Sequence, residues 1–169
     1  MKTPDMITIH RNSISDNPDE LQAYYKWEKA AYHFIVTRSG EVIQWGSLID
    51  ISYHAGINWN RASISIAVHG DFRYHVTTGA QQGALFELCE LLCHMTDIVP
   101  ARLYERAGMR VCELNSHEEL ATAEGRVWRC PGGHLDVAAL RRRLTAHKKK
   151  LPSMSGMDWG ERVRFVGWR

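Results

Sequence analysis

The sequence of 169 residues has the length of one globular domain and is long enough to bury a hydrophobic core. Hydrophobic residues make up 44% and charged residues 24%, and no segment approaches the about eighteen apolar residues of a membrane-spanning helix. The formal net charge is only +2, well short of the positive excess of a dedicated nucleic-acid-binding protein, so we expect no nucleic-acid partner. Because no segment is long and apolar enough to span a membrane, we expect no membrane partner either.

The chain opens with a predicted strand followed by a predicted helix. Alternating isoleucines in "MITIH" indicate a short strand that ends at His10. Asn17 is a suitable helix cap, Pro18 suits the first helical position, and Asp19 and Glu20 would face the positive end of the helix dipole. The first apolar run begins at Met6 and has no basic leader before it, so we expect synthesis in the cytoplasm without a signal peptide.

A hairpin, a strand and a long helix are predicted next. Two apolar runs surround Ser39 and Gly40, which is the signal of a β-hairpin, and a β-branched run from Ser63 predicts a further strand. Thr78 and Gln81 have the spacing of a capping box. After them, apolar residues recur at helical spacing at Leu85, Leu88, Leu92 and Met95.

The last third predicts one more strand and one more helix. "MRVCELNSH" reads as a strand that leads to His117, and a polar loop then reaches Cys130. Asp136 caps a helix with Val137, Leu140 and Leu144 on one side. The alternation of strands and helices favours a single α/β domain with a mixed central sheet flanked by helices, over residues 1–150. Residues 151–169 form a tail that can add an edge strand or contact a partner elsewhere.

The four cysteines do not form a disulfide framework at this length, and a reducing compartment argues against pairing. Cys89 and Cys93 fall one helical turn apart in an apolar helix, which favours core packing. Positive charge is concentrated between Arg141 and Lys150. Such a run is most often a solvated helix face and less often a docking patch for an anionic polymer.

Cys130 lies in the polar, basic stretch "RVWRCPGGHLD", an unusual place for a packing thiol. Among the nine histidines, His10 and His117 both follow predicted strands, and strand ends are where α/β proteins assemble sites. Together these three residues would offer two imidazoles and a thiolate, with the fourth position of a tetrahedral zinc left open. The alternative for Cys130 is a buried thiol beside a turn.

Several blocks follow one another in a fixed order and span most of the chain: "ITIH", "AYHFIVTRSGEVIQ", "YHAGINWNRASISIAVHGDF", "SHEEL" and "CPGGHLD". They resemble the type 2 family of zinc-dependent N-acetylmuramoyl-L-alanine amidases. This family includes amidase-type phage lysozymes and peptidoglycan recognition proteins. The resemblance implies their α/β fold and hydrolysis of the amide bond between N-acetylmuramic acid and L-alanine in peptidoglycan.

The resemblance also implies roles for individual residues. His10, His117 and Cys130 would hold Zn²⁺, and Tyr32 would place its hydroxyl beside the reacting carbonyl or the attacking water. His54 matches a position that lines the substrate groove, with a structural hydrogen bond as the alternative, and Asn60 follows in the same segment. By strand alternation His33 points away from Tyr32, so we interpret it as a core residue.

The chain departs from its relatives at two positions. Phage members often carry a lysine two residues before the ligand cysteine, where this chain has Trp128, so Arg129 and the more distant Arg126 are the candidate substitutes. We expect both arginines to lower the pKa of the Cys130 thiol. Recycling enzymes of the family carry a catalytic glutamate where this chain has Ala67. The chain therefore fits the members of the family whose site uses a tyrosine, here Tyr32.

We therefore expect a monomeric peptidoglycan amidase, specifically a phage or prophage endolysin that acts on the cell wall after release and causes lysis. Two alternatives have the same fold. One is a non-catalytic protein that binds muropeptides, a class that typically lacks the metal cysteine. The other is an intracellular amidase that trims recycled muropeptides.

Overall fold

The computed structural model describes residues 4–13, 32–148 and 163–165. The strands are β1 (Met6–Asn12), β2 (Phe34–Val36), β3 (Val42–Gln44), β4 (Ser63–His69), β5 (Leu103–Arg106), β6 (Met109–Cys112), β7 (Leu114–Ser116) and β8 (Val163–Phe165). The helices are α1 (Gly79–Met95), α2 (His117–Ala123) and α3 (Val137–Lys148). The helix predicted after Asn17 lies outside the described residues.

The strands form one mixed sheet and one separate hairpin. The six-stranded sheet has the order β7-β1-β4-β2-β3-β8, and the hairpin pairs β5 with β6. Within the large sheet only β2 and β3 are antiparallel, and all its other neighbours are parallel. The predicted mixed α/β fold is therefore confirmed, and so is the hairpin around Gly40.

The two faces of the sheet have different coverings. Ile7 and Ile9 of β1 and Ile66 of β4 pack in one buried cluster with leucines of α1 and α3. Because successive side chains of a strand alternate, His10 points to the opposite face. On that face Ala67 of β4 packs with Ile35 and Ile43. Helices α1 and α3 thus cover one face, while Leu120 of α2 packs with Met6 on the other face, which also holds His10.

The helix starts predicted at Thr78 and Asp136 are confirmed. The capping box of α1 forms, since the Thr78 hydroxyl accepts from the N–H of Gln81 and the Gln81 side chain accepts from the N–H of Thr78. At α3, the Asp136 carboxylate accepts from the N–H of Ala139 at 2.7 Å. Leu140 and Leu144 are buried on the inner side of this helix, as their spacing predicts.

Two predictions for the last third are wrong in detail. The single strand predicted before His117 is interrupted at the buried Glu113, whose carboxylate accepts from the N–H of Val99 at 2.7 Å and pairs with Arg102. The residues before Glu113 therefore join a hairpin, and those after it join the sheet. The loop predicted after His117 instead begins with α2, because Ser116 and Glu119 form a capping box.

Part of the tail has a defined place in the sheet. Val163–Phe165 pairs in parallel with Val42–Gln44, so β8 is the edge strand beside β3. Within the described ranges, no helix combines the length and the hydropathy required to cross a lipid bilayer.

Candidate metal centre

Three side chains from separate segments converge on the face of the sheet that α1 and α3 leave uncovered. The ligand atoms of His10, His117 and Cys130 all lie within 4.8 Å of one another. His10 Nδ1 is 3.8 Å from Cys130 Sγ. Tetrahedral zinc bonds of about 2.1 Å to nitrogen and about 2.3 Å to sulfur place such atoms roughly 3.6 Å apart. Two imidazoles and a thiol at this spacing fit a zinc ion.

The sheet register explains why the two histidines meet. Strand β7 lies parallel to β1, and Ser116 is the register partner of Ile9. The residue that follows each of them in the chain is a histidine, and the ring centroids of His10 and His117 are 4.8 Å apart. Ser116 also caps α2, so the chain turns into a helix at His117 itself.

Both histidines are held in the neutral form that metal ligation requires. Burial lowers the pKa of His10 well below its usual value, and the neighbouring His54 and His117 lower it further. Burial, with the positive charge of Arg126 nearby, lowers the pKa of His117 to about 4. At neutral pH neither imidazole has to lose a proton before it binds a cation.

Cys130 is held against β1 and α2 by contacts on both sides. Its carbonyl accepts from the N–H of Glu118 at 2.7 Å. The Arg11 guanidinium donates to the carbonyl of Arg129 at 2.8 Å and lies 3.3 Å from the carboxylate of Asp71. The loop that carries the thiol is thus tied to the strand that carries His10.

The cation beside the thiol is Arg11, and the expectation of Arg126 and Arg129 in this role is wrong. Burial raises the pKa of Cys130, while the backbone N–H and the guanidinium charge of Arg11 lower it. Arg126 instead pairs with Glu124 and acts on His117. Arg129 has an exposed side chain, and its carbonyl is the group that Arg11 binds.

The Pro-Gly-Gly turn after the cysteine packs against the 72–73 backbone. The Cys130–Pro131 peptide bond is cis, and Gly132 has a φ of 110°. A Cβ atom on Gly132 would lie 2.5 Å from the carbonyl carbon of Phe72. His134 N–H donates to the Phe72 carbonyl at 3.0 Å. Only glycine fits this contact, which fixes the approach of the cysteine loop.

Aromatic side chains surround the ligands. The Tyr32 ring lies 5.3 Å from the His10 ring, and the half-exposed Trp128 ring lies 5.8 Å from the His117 ring. Ala67 is the register partner of His10 and is fully buried. No carboxylate can therefore act from that position.

His33, the neighbour of Tyr32, is hydrogen-bonded to β4 and to the loop that leads to His54. It is buried, as predicted for a core residue. Its Nδ1 accepts from the N–H of Ser65 at 3.0 Å, so its Nε2 carries the proton and donates to the carbonyl of Asp50 at 3.2 Å. This bond joins the residues just before β2 to the loop that leads to His54.

His54 lies directly behind His10. Its Nδ1 is 2.8 Å from His10 Nε2, and the two rings meet edge to face with centroids 4.8 Å apart. The Asn60 side-chain oxygen accepts from the backbone N–H groups of His54 and Ala55 at 3.0 and 2.8 Å. Asn60 therefore shapes the loop that holds His54.

The sequence profile of the Amidase_2 family, N-acetylmuramoyl-L-alanine amidase, matches residues 1–133. The chain belongs to this amidase family. No curated protein sequence matches it significantly. The resemblance read from the ordered sequence blocks is thus confirmed.

Solved structures of similar fold include amidases and recognition proteins. The N-acetylmuramoyl-L-alanine amidase LysC from Clostridium intestinale URNW has a TM-score of 0.65 at 22% identity, over 84% of this chain and 85% of that chain. The Ph2119 endolysin from the Thermus scotoductus MAT2119 bacteriophage Ph2119 has a TM-score of 0.60 at 21% identity, over 83% of this chain and 86% of that chain. Drosophila PGRP-LB has a TM-score of 0.55 at 18% identity, over 93% of this chain and 86% of that chain. At these identities the likeness shows the amidase fold alone.

The amidase fold brings together most of the residues singled out in the sequence. His10, His117 and Cys130 form the centre, and Tyr32 and His54 each contact His10. Asn60 lies one layer further out and contacts the loop backbone. Arg129 points to solvent.

Two arginines with structural roles at this amidase centre were missed. Arg11 follows His10 directly, and its role depends on where the cysteine loop passes, which no local pattern shows. Arg141 donates to Glu119 at 2.6 and 2.8 Å and to the carbonyl of Leu114 at 2.7 Å. The Ser116–Glu119 spacing of a capping box is the signal that would have located the start of α2.

Replacing Gly132 with alanine should displace the cysteine loop. The added Cβ clashes with backbone that cannot rotate away, and we expect the free energy of unfolding to fall by about 1–3 kcal/mol together with weaker Zn²⁺ binding. Gly133→Ala is the matched control because nothing lies within 4 Å of its added Cβ. Urea unfolding and zinc competition titrations measure both effects. Equal effects of the two substitutions would contradict the proposed packing.

Replacing Arg11 with methionine should weaken metal retention more than replacing Arg129 does. Arg11→Met removes the bond to the cysteine loop and the charge beside the thiol, so we expect zinc affinity to fall by about 10–100-fold. Arg129→Met removes an exposed side chain and should have a milder effect. Competition with a chromophoric chelator measures both, and a larger loss in Arg129→Met would refute the assignment of Arg11.

Proposed function

We propose that the protein is a zinc-dependent amidase that hydrolyses the bond between N-acetylmuramic acid and L-alanine in peptidoglycan. The observation that carries the proposal is the convergence of His10, His117 and Cys130 within 4.8 Å, on a face where Tyr32 lies beside His10. Membership of the N-acetylmuramoyl-L-alanine amidase family supports the choice of substrate. One chain supplies all three donors, which supports action as a monomer.

A bound zinc ion would activate water for attack and polarise the carbonyl of the scissile amide. The chain's own part is to hold the ion through three side chains and to leave room for substrate on its open side. The Tyr32 hydroxyl is proposed to donate a hydrogen bond to the oxygen of that carbonyl, whose negative charge grows during attack. With Ala67 opposite His10, the polar group that can do this next to His10 is the phenol.

A second positive group near the carbonyl would take the place of the lysine found in phage relatives. Arg126 is the better placed of the two candidates, because its charge already acts on His117. Arg129 is adjacent to Cys130 but exposed, so it would have to turn inward from solvent to reach the substrate.

We propose the biological role of a phage or prophage endolysin, made in the cytoplasm and active on the wall after release. The structural likeness to the Ph2119 endolysin and to LysC supports this role. Likeness to a peptidoglycan recognition protein, Drosophila PGRP-SD, keeps muropeptide binding without cleavage as the alternative. The complete donor set favours the enzyme. Ala67 disfavours the role of a recycling amidase, because the recycling enzymes of the family carry a catalytic glutamate at that position.

Wall attachment through the basic end of α3 is a further part of the proposal. Arg141 is turned inward to Glu119 and Leu114, so the attachment would rest on Arg142, which is exposed, and on the lysines from Lys148 to Lys150. The predicted tail, residues 151–169, would contribute as a wall-contact segment.

Purified sacculi test the proposed reaction directly. We expect mass spectrometry to find glycan with free lactyl groups and peptides that begin at L-alanine. Removal of metal by a chelator should abolish the release, and added Zn²⁺ should restore it. Cys130→Ser serves as the variant with an impaired centre. A zinc-loaded protein that binds sacculi without releasing peptide would favour the non-catalytic alternative.

Tyr32→Phe should lower turnover by about a hundredfold to a thousandfold, the usual cost of losing one donor to a developing oxyanion. The ring is retained, so zinc content and muropeptide binding should remain near normal. Single-turnover kinetics, with zinc quantified in each sample, measure the effect. Hydrolysis at the wild-type rate with full metal would show that Tyr32 is structural and that the donor is Arg126 or Arg129.

A further inference from the structure

The contact between His10 and His54 joins one nitrogen of each ring at 2.8 Å. Two protonated rings would both present donors, so this contact needs a neutral ring as the acceptor. A neutral imidazole carries one N–H donor and one bare acceptor nitrogen, so a 2.8 Å contact between two ring nitrogens requires a definite tautomer on each ring. Either His10 Nε2 donates to His54 and His10 Nδ1 is bare, or His10 Nδ1 carries the proton and His10 Nε2 accepts from His54.

The position of Cys130 decides which way the proton lies. His10 Nδ1 is the nitrogen that faces Cys130 Sγ, at 3.8 Å, and it is therefore the nitrogen that faces the metal centre. A ligating nitrogen has no proton. His10 Nε2 then carries the hydrogen and donates to His54 Nδ1. The proton of His54 then lies on its Nε2, a buried nitrogen for which the described residues supply no hydrogen-bond partner.

The acceptor ring is itself held in place by Asn60. The Asn60 oxygen accepts from two successive N–H groups, those of His54 and Ala55, at 3.0 and 2.8 Å. Trp59 next to it is fully buried and fastens this end of the loop to the core. Movement of the His54 backbone away from His10 would break both of these bonds.

We propose that His54 is a positioning residue that selects the His10 tautomer with a bare Nδ1 toward the metal, and that Asn60 sets His54 for this task. This reassigns both residues from substrate contact to support of the metal ligand. The inference rests on the proposed function only in taking the centre to bind Zn²⁺. Loss of such an outer hydrogen bond typically weakens metal binding about 10–100-fold.

Two substitutions at position 54 separate this role from a general packing role. His54→Asn places an amide oxygen where Nδ1 lies and so keeps an acceptor for His10. His54→Leu fills the space but removes the acceptor. His75→Asn, at an exposed histidine, is the control for the change of residue type.

Substitutions at position 60 test the second half of the proposal. Asn60→Asp keeps an oxygen that can accept from both N–H groups, whereas Asn60→Ala removes it. At both positions we expect zinc affinity to be kept when the substituted side chain still offers a hydrogen-bond acceptor and to fall when it does not. It should be close to wild type in His54→Asn and Asn60→Asp, and lower by about 10–100-fold in His54→Leu and Asn60→Ala.

Zinc affinity is measured in the full chain by competition between Zn²⁺ and a chromophoric chelator, with no substrate present. Failure of the amidase proposal therefore leaves this result readable, and failure of this inference leaves the amidase proposal intact. Equal affinity in His54→Leu and wild type would overturn the role of His54. Equal losses in His54→Leu and His54→Asn would show that the acceptor is not the cause.

A spectroscopic measurement on the wild-type protein tests the tautomer without any variant. Nitrogen-15 NMR of the imidazoles in metal-free protein should show His10 protonated at Nε2 and bare at Nδ1. In His54→Leu we expect a mixture of the two tautomers, while His75→Asn keeps the wild-type spectrum. A wild-type His10 protonated at Nδ1 overturns the inference even if the variants at position 54 fail to fold.

Discussion

The parallel pairing of β1 with its two neighbours is the constraint on which the centre depends. In this register Ile9 lies beside Ser116, so His10 on β1 and His117 at the start of α2 follow directly, with their rings 4.8 Å apart. On the other side, His10 pairs with Ala67 of β4, which is fully buried and packs with Ile35 and Ile43. Because side chains alternate along a strand, a shift of one residue would turn His10 into the apolar face under α1 and α3. The hydrophobic pattern that specifies the sheet thereby also specifies the metal centre.

Polar bonds around the sheet carry out the finer placement. Arg11 and the N–H of Glu118 hold the cysteine loop, and Gly132 lets that loop lie directly against the backbone of Phe72. Arg141 reaches from α3 to Glu119, which belongs to the capping box that begins α2 at His117. Each ligand is thus supported by groups on another element. This is the arrangement that metal sites require when they hold ligands within a few tenths of an ångström.

The site also shows how one fold serves different reactions. Strand β4 has Ala67 at the register position of the candidate ligand His10, so acid or base chemistry from a carboxylate there is excluded, and the Tyr32 ring lies 5.3 Å from the His10 ring. Fold likeness alone does not separate cleavage from binding, because amidases and recognition proteins have the same architecture. The presence of both histidines and the cysteine in one centre is the feature that favours cleavage.

Local patterns in the sequence determined the hairpin at Gly40, the strand β4, the capped helices α1 and α3, and the α/β class, since each depends on periodicity or capping within a few residues. The ordered motifs also identified the family, and with it the three candidate ligands. Only the tertiary structure decided what supports those ligands. It interrupted a predicted strand at Glu113 and placed Arg11 beside Cys130 where Arg126 and Arg129 had been expected. It also brought His54 against His10 and Asn60 against the backbone of His54. These contacts join residues far apart in the chain, and a sequence pattern reports periodicity along one segment without reporting which other segment packs against it.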